Sequence, residues 1–135
     1  MAAAVQRSNQ RIAPLARLHA IGQGPLEDRI ADFVTMRLRL YDAAGPVFRA
    51  TVVNAARHTA IGDQLARSRD AMREQFELQF QPELAACTPA DRQAVITAGD
   101  LLTQLDAMDY LRRHRQLSPA ASEAALVEAL RAIFG

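Results

Sequence analysis

The sequence lacks lysine and tryptophan, contains one cysteine, and has no apolar run of the roughly 18 residues that a membrane span needs. The lone Cys87 excludes an internal disulfide and is typical of a reducing, cytoplasmic setting. An excess of charge of one sign is also missing, because sixteen basic residues stand against fifteen acidic ones. This balance gives no electrostatic reason to bind a nucleic acid or an anionic membrane. With 135 residues, the sequence predicts one soluble domain with a single core.

Strand-like alternation of apolar and polar residues is scarce too, whereas alanine, the best helix former, is abundant. The sequence therefore predicts an all-α helical bundle whose helices are separated by glycine and proline. "GQGP" at 22–25 ends a basic amphipathic helix, and "GP" at 45–46 separates the next two helices. Thr59 is the predicted cap of a long helix that runs towards Pro82.

The clearest helix starts are "TPAD" at 88–91 and the Ser118 cap before a proline. Thr88 opens a capping box, since an acid follows it three residues later. The basic residues at 112–115 are predicted to end the helix that begins near Pro89, because cations offset the partial negative charge of the last carbonyls. Phosphate binding by this cluster is the alternative, although no aromatic or glycine-rich segment accompanies it.

The last two predicted helices carry apolar residues on more than one side, which is more than the core of one chain requires. A symmetric partner is the simplest way to bury this surplus, so the sequence predicts a homodimer through a four-helix interface. The residues assigned to that interface are Leu101, Leu105, Met108, Ala125, Leu126, Ala129 and Ile133.

Three segments carry a resemblance to a known family: "GPLEDRIADFVTMRLRLYDAAGPVFRAT", "RDAMREQFELQFQPEL" and "LLTQLDAMDYLRRHRQLSPAASEAALVEALRAIF". In order and character they resemble the C-terminal domain of TetR-family transcription regulators. The Leu111 and Arg112 pair and the joint formed by Leu117 and Ser118 resemble the family's habitual ending. Gln116 stands where that joint usually has glycine, and Met108 where many relatives have tryptophan.

The resemblance implies a ligand-sensing and homodimerisation domain of a TetR-like transcriptional regulator, in which a small-molecule effector modulates DNA binding. It divides the chain into a linker helix at 1–24, pocket-forming helices at 25–87 and dimerisation helices at 88–135. The family's helix-turn-helix has no counterpart in this sequence, so operator DNA is expected to be reached only through such a domain elsewhere. A stand-alone helical protein-interaction module with a solid interior is the alternative.

The ligand pocket implied by the resemblance lies among the helices before residue 115. Apolar residues that project from the middle helices are the candidates for its lining, and ordinary core packing is the alternative for each of them. They are Met36, Leu40, Phe48, Val52, Met72, Phe76 and Phe80.

Arg37 and Asp109 place charges within apolar stripes, where burial demands a partner. An internal ion pair or a snorkelled arginine is the structural interpretation, and an anchor for a carboxylate or phosphate on the ligand is the functional one.

Catalysis has little support, because the three histidines are scattered and no metal-binding or phosphate-binding motif occurs. The sequence therefore predicts a protein without cofactor, metal or enzymatic activity. Cys87 lacks a resolving cysteine, which makes oxidant sensing the minor interpretation.

Overall fold

The computed structural model describes residues 20–135, so most of the predicted linker helix at 1–24 lies outside the described residues. Helices fill the described part of the chain, and it contains no strand, which confirms the all-helical class. They are α1 (Leu26–Ala55), α2 (Thr59–Gln79), α3 (Gln81–Ala85), α4 (Pro89–Thr103), α5 (Leu105–Asp109), a π-helical turn (Tyr110–His114) and α6 (Pro119–Phe134). Within residues 20–135, none of the helices has the length and apolar character needed to span a membrane.

Four long helices form an up-down-up-down bundle in which α1 and α4 run opposite to α2 and α6. Side-chain contacts give the direction of each pair. Arg29 near the start of α1 bonds Gln79 at the end of α2, and Arg131 near the end of α6 pairs with Glu27. Because α1 contacts α2 and α6, and α4 also contacts both, the four helices enclose one core.

Phenylalanine rings fill the centre of this core. The ring of Phe33 meets that of Phe76 edge-on at 5.8 Å, and Phe80 lies between Phe33 and Phe134 with centroid separations of 5.4 and 4.7 Å. Gly99 on α4 lies against the face of this cluster, since a Cβ atom there would come within 2.0 Å of the Phe76 ring. The missing side chain at Gly99 thus lets α4 approach α2 closely.

The predicted break at Gly45 and Pro46 is wrong, because α1 continues through both residues. Proline removes one main-chain hydrogen bond and crowds the preceding turn. Here Pro46 is exposed, and burial of residues on both sides of it, Tyr41 and Thr51, offsets that loss. Gly45 has a separate role, since a Cβ there would lie 3.3 Å from the guanidinium of Arg49 and 3.6 Å from the Tyr41 ring.

The predicted helix from Pro89 to Arg115 is interrupted at Gln104, whose extended backbone (ψ 156°) separates α4 from α5. Three side chains stabilise this break. The amide nitrogen of Gln104 donates to the carbonyl of Arg69, the Thr103 hydroxyl donates to the carbonyl of Gly99, and Arg37 donates to the carbonyl of Thr103. The interruption thus depends on partners from α1 and α2 that a local sequence pattern does not contain.

The predicted caps have mixed outcomes. Thr88 accepts a hydrogen bond from the amide of Asp91, and Ser118 accepts one from Ala121, which confirms both helix starts. Thr59 does not cap α2, because the N-cap position is His58 and its side chain makes no capping bond.

The basic cluster at 112–115 lies at a helix terminus, as predicted, but the terminus is that of the π-helical turn. The amide of Arg115 donates to the carbonyl of Tyr110, five residues earlier, which is the π-helical pattern. Gln116 then takes a left-handed conformation (φ 55°), the role in which glycine is the more usual residue.

Candidate functional site

Most predicted pocket residues lie inside the packed core. Met36, Leu40, Phe76 and Phe80 are at most 7% exposed, and they pack with the other buried apolar residues of the bundle. Met72 is half-buried against the same cluster. Because these five side chains fill the interior, they form part of the core in this arrangement rather than the lining of an open cavity.

Arg37 is fully buried and acts as a bridge between helices. Its guanidinium donates to the carbonyls of Thr103 (2.5 Å) and Met72 (2.7 Å), and its Nε and Nη2 atoms contact the amide oxygen of Gln75. The ring of Phe33 lies 4.5 Å from the guanidinium carbon. Burial lowers the pKa of Arg37 to about 9, which leaves the side chain protonated at neutral pH. Arg37 therefore binds main-chain carbonyls, neither snorkelling nor pairing directly with a carboxylate.

Asp109 takes part in an ion pair between helices, which agrees with the structural interpretation of this residue. Its Oδ1 atom accepts hydrogen bonds from the hydroxyl of Tyr41 (2.7 Å) and from Arg49 (3.1 Å). Burial and the Asp109 carboxylate raise the pKa of Tyr41. Through Tyr41 and Arg49, Asp109 connects α5 to the residues of α1 on both sides of Gly45. A side chain at Gly45 would contact both Tyr41 and Arg49.

A cleft beside this pair is the candidate ligand site, and we call it the side cleft. Its volume is about 430 Å³, within the usual range for small-molecule sites. The second half of α1 supplies its apolar wall, while α5 and the π-helical turn supply its charged rim. Its lining residues are Phe48, Arg49, Val52, Val53, Asp106, Asp109 and Arg113. Of the predicted pocket residues, Phe48 and Val52 meet here.

Two further clefts within residues 20–135 include residues that the sequence analysis selects, Phe48 and Leu101. Phe48 also borders a crevice of about 70 Å³ between α1 and α2, which is too small for most effectors. A groove of about 680 Å³ between α2 and α4 is lined by Ile96 and Leu101 and by charged residues, among which Arg69 pairs with Asp106 and Arg73 with Asp70. The side cleft and the groove differ in the sign of their lining charges that lack an ion pair within residues 20–135: Arg113 in the side cleft, and Glu77 and Asp100 in the groove.

The predicted interface residues separate into two groups. Leu105, Met108 and Leu126 are at most 8% exposed and pack in the chain's own core, so they leave almost no surface for a partner. Ile133 is half-buried against that core, and Ala129 is half-buried on α6. Leu101, 66% exposed, and Ala125 remain on the surface.

Leu101 and Ala125 belong to a larger apolar surface, which we call the outer face. By helical projection its members point away from the core on neighbouring helices, and all are exposed or half-buried. The outer face comprises Ala94, Ala98 and Leu101 of α4 with Ala121, Ala125 and Ala132 of α6. The charged side of α6 instead points to α1, where Glu123 meets Thr35 and Arg131 meets Glu27.

A network that the sequence did not reveal joins residues 22–24 to three helices. Arg29 forms a bidentate ion pair with Glu83 (2.6 and 2.7 Å) and donates hydrogen bonds to the carbonyls of Gly24 and Gln79. Gln79 in turn accepts from the amide of Gly22. Arg29 and Glu83 are 54 positions apart, so no local pattern pairs them. The network therefore holds residues 22–24, directly before α1, against the bundle.

The ion pair predicts a specific pH dependence. The guanidinium of Arg29 lowers the pKa of Glu83, so the folded state holds this carboxylate ionised at a pH where the unfolded chain has begun to protonate. The contribution of the pair is therefore complete above the unfolded pKa and is lost as pH falls through the folded pKa. We expect Glu83→Gln to lower the free energy of unfolding by about 1–2 kcal/mol at pH 7. Urea titrations from pH 7 to 3 should show the difference from wild type shrinking below about pH 4. A difference that stays constant over this range would contradict the assignment.

No known protein family, curated protein or solved structure matches this chain significantly.

Proposed function

We propose that this chain is the ligand-sensing and homodimerisation domain of a TetR-like transcriptional regulator, acting by binding and helix displacement rather than by catalysis. In this proposal the outer face pairs two copies in the cytoplasm, and a small-molecule effector enters the side cleft. Operator DNA is contacted through a helix-turn-helix domain that these residues do not include. The proposal draws on the resemblance of the sequence, above all of the segment around Leu111 and Arg112, to the C-terminal domain of that family.

The exposure of Leu101 is the observation that carries the proposal. A leucine left 66% exposed favours burial against a second surface, because complete burial of a leucine side chain gains about 1.5–3 kcal/mol. A two-fold axis across the outer face would place the same small residues of two copies opposite each other. Alanines allow the helices to approach closely. The interface would then consist of four helices, α4 and α6 from each copy.

The side cleft supplies the second part of the proposal. It lies between α5 and the second half of α1, and α5 follows directly from the α4 helix that carries half of the outer face. A ligand that enters between α5 and the second half of α1 would bias the position of α5 relative to α1. Sensing then requires only that the ligand bind one of these two arrangements better than the other.

We expect Leu101→Glu and Ala125→Arg to weaken self-association at least about tenfold, because a symmetric interface contains each substitution twice. Sedimentation velocity over a concentration series measures the dissociation constant. Leu78→Glu is the matched control, since Leu78 is a similarly exposed leucine (53%) on α2, away from the outer face. A wild-type chain that remains a monomer at all accessible concentrations would contradict the proposal, as would equal weakening by Leu78→Glu.

The filled interior favours a second candidate, a helical protein-interaction module without a small-molecule ligand. The residues at the centre of the bundle, Arg37 and the Phe33, Phe76 and Phe80 rings, are all fully buried. A bundle closed in this way can present the outer face to another protein without any sensing step. Failure of every small molecule to bind, together with an intact fold, would favour this candidate.

A further inference from the structure

We propose that the side cleft binds a small amphipathic monoanion, such as a carboxylate with a short alkyl chain. The inference rests on the proposed sensing function, because it assigns the chemical class of the effector.

The wall of the cleft on α1 is apolar and exposed to solvent. Val52 is 39% and Val53 is 70% exposed, and the Phe48 ring lies one turn before Val52 on the same helix. An alkyl chain that covers this wall would remove apolar surface from water, which favours binding. A volume of about 430 Å³ suits a small molecule, whereas a folded partner would need a far larger surface.

The charges of the cleft determine which polar group the ligand carries. Both carboxylates are already paired: Asp109 with Arg49 at 3.1 Å, and Asp106 with Arg69 at 2.7 Å. Arg113 lines the same cleft and forms no ion pair with the carboxylates of residues 20–135. One positive charge is therefore left without a partner. A cationic ligand would have to displace Arg49 or Arg69, but a monoanion needs only to approach Arg113.

The π-helical turn explains how Arg113 reaches this position. A π turn contains an extra residue compared with an α turn, and it therefore rotates the side chains that follow it. This turn follows α5 directly. Arg113 lies within it, on the side that faces the second half of α1. Its neighbour Arg112 points elsewhere and pairs with Asp42 at 3.0 Å. Of these two adjacent arginines, Arg112 has a carboxylate partner and Arg113 has none within residues 20–135, so only Arg113 is placed to receive an anion.

The test compares three probes of equal chain length: sodium octanoate, octan-1-ol and octylammonium. Titrations of the whole chain, followed by calorimetry or by amide chemical shifts, should give the tightest binding for octanoate. We expect Arg113→Gln to weaken octanoate binding at least about tenfold and to change octanol binding by less than about twofold. Arg115→Gln is the matched control, since this exposed arginine lies two residues away and does not line the cleft.

Val52→Asp gives an independent check, because it places a negative charge on the apolar wall and should abolish octanoate binding. Circular dichroism verifies that each variant folds. Octylammonium binding as tight as octanoate, no octanoate binding at millimolar concentration, or an unchanged affinity in Arg113→Gln would each overturn the inference. The sedimentation of the same samples separates the two proposals. A dimer that does not bind octanoate refutes only the ligand assignment, whereas a monomer that binds octanoate refutes the dimeric regulator.

Discussion

Arg37→Met is expected to lower the free energy of unfolding by about 2–4 kcal/mol. Methionine fills most of the same volume, but it leaves the buried carbonyls of Met72 and Thr103 without their donor. Each buried carbonyl that loses its partner costs about 1–3 kcal/mol, and relief from burying a charge offsets part of this loss. Urea denaturation followed by circular dichroism gives the difference directly.

Arg39→Met is the matched control, because Arg39 lies two residues away on the exposed side of α1. We expect this substitution to change stability by less than about 0.5 kcal/mol. The same experiment decides between the two interpretations of Arg37. A variant as stable as wild type that has lost octanoate binding would show that Arg37 anchors a ligand. A destabilised variant that still binds octanoate would show that it joins the helices.

Gly99→Ala is expected to destabilise the fold by about 1–3 kcal/mol, although alanine is the better helix former by nearly 1 kcal/mol. The added methyl group would lie within 2.0–2.8 Å of three atoms of the Phe76 ring. That ring has little freedom to move, since it packs against Phe33, Phe80 and Phe134. The gain in helix propensity is therefore smaller than the cost of overpacking.

A double-mutant cycle with Phe76→Leu tests the cause of this effect. Leucine removes the ring atoms that the new methyl group would strike, so Gly99→Ala should cost much less in the Phe76→Leu background. Equal costs in both backgrounds would show that the two residues are not coupled. Thermal denaturation of the four proteins is sufficient for the comparison.

The parts of the fold that sequence predicted are those that depend on nearby residues. Thr88 and Ser118 cap their helices through amides three positions away, and both were identified from spacing alone. Gly45 and Pro46 misled the prediction, because the burial of Tyr41 and Thr51 on either side of them is a tertiary effect. The break at Gln104 was missed for the same reason, since one of the bonds that stabilise it comes from Arg37 on another helix.

The candidate site was predictable only in part. Phe48 and Val52 were identified because they project from a middle helix, but the same reasoning selected Phe76 and Phe80, which fill the core. Apolar character alone does not distinguish a cavity wall from packed interior. Arg113 was noticed only as part of a helix terminus. Its role in the side cleft depends on the π-helical turn, for which the sequence "YLRRH" gives no recognised signal.

The central claim is that two copies meet through the outer face, and the distance between identical positions in the two copies tests it most directly. Cys87 is the only cysteine, so a Cys87→Ser background allows one spin label at a chosen site. A label at residue 97, an exposed position of α4 at the edge of the outer face, should give a short, narrow distribution of distances between copies. A label at residue 67, on the exposed side of α2, should give a longer one. A shorter distance from residue 67, or no coupling between copies at either position, would contradict the account.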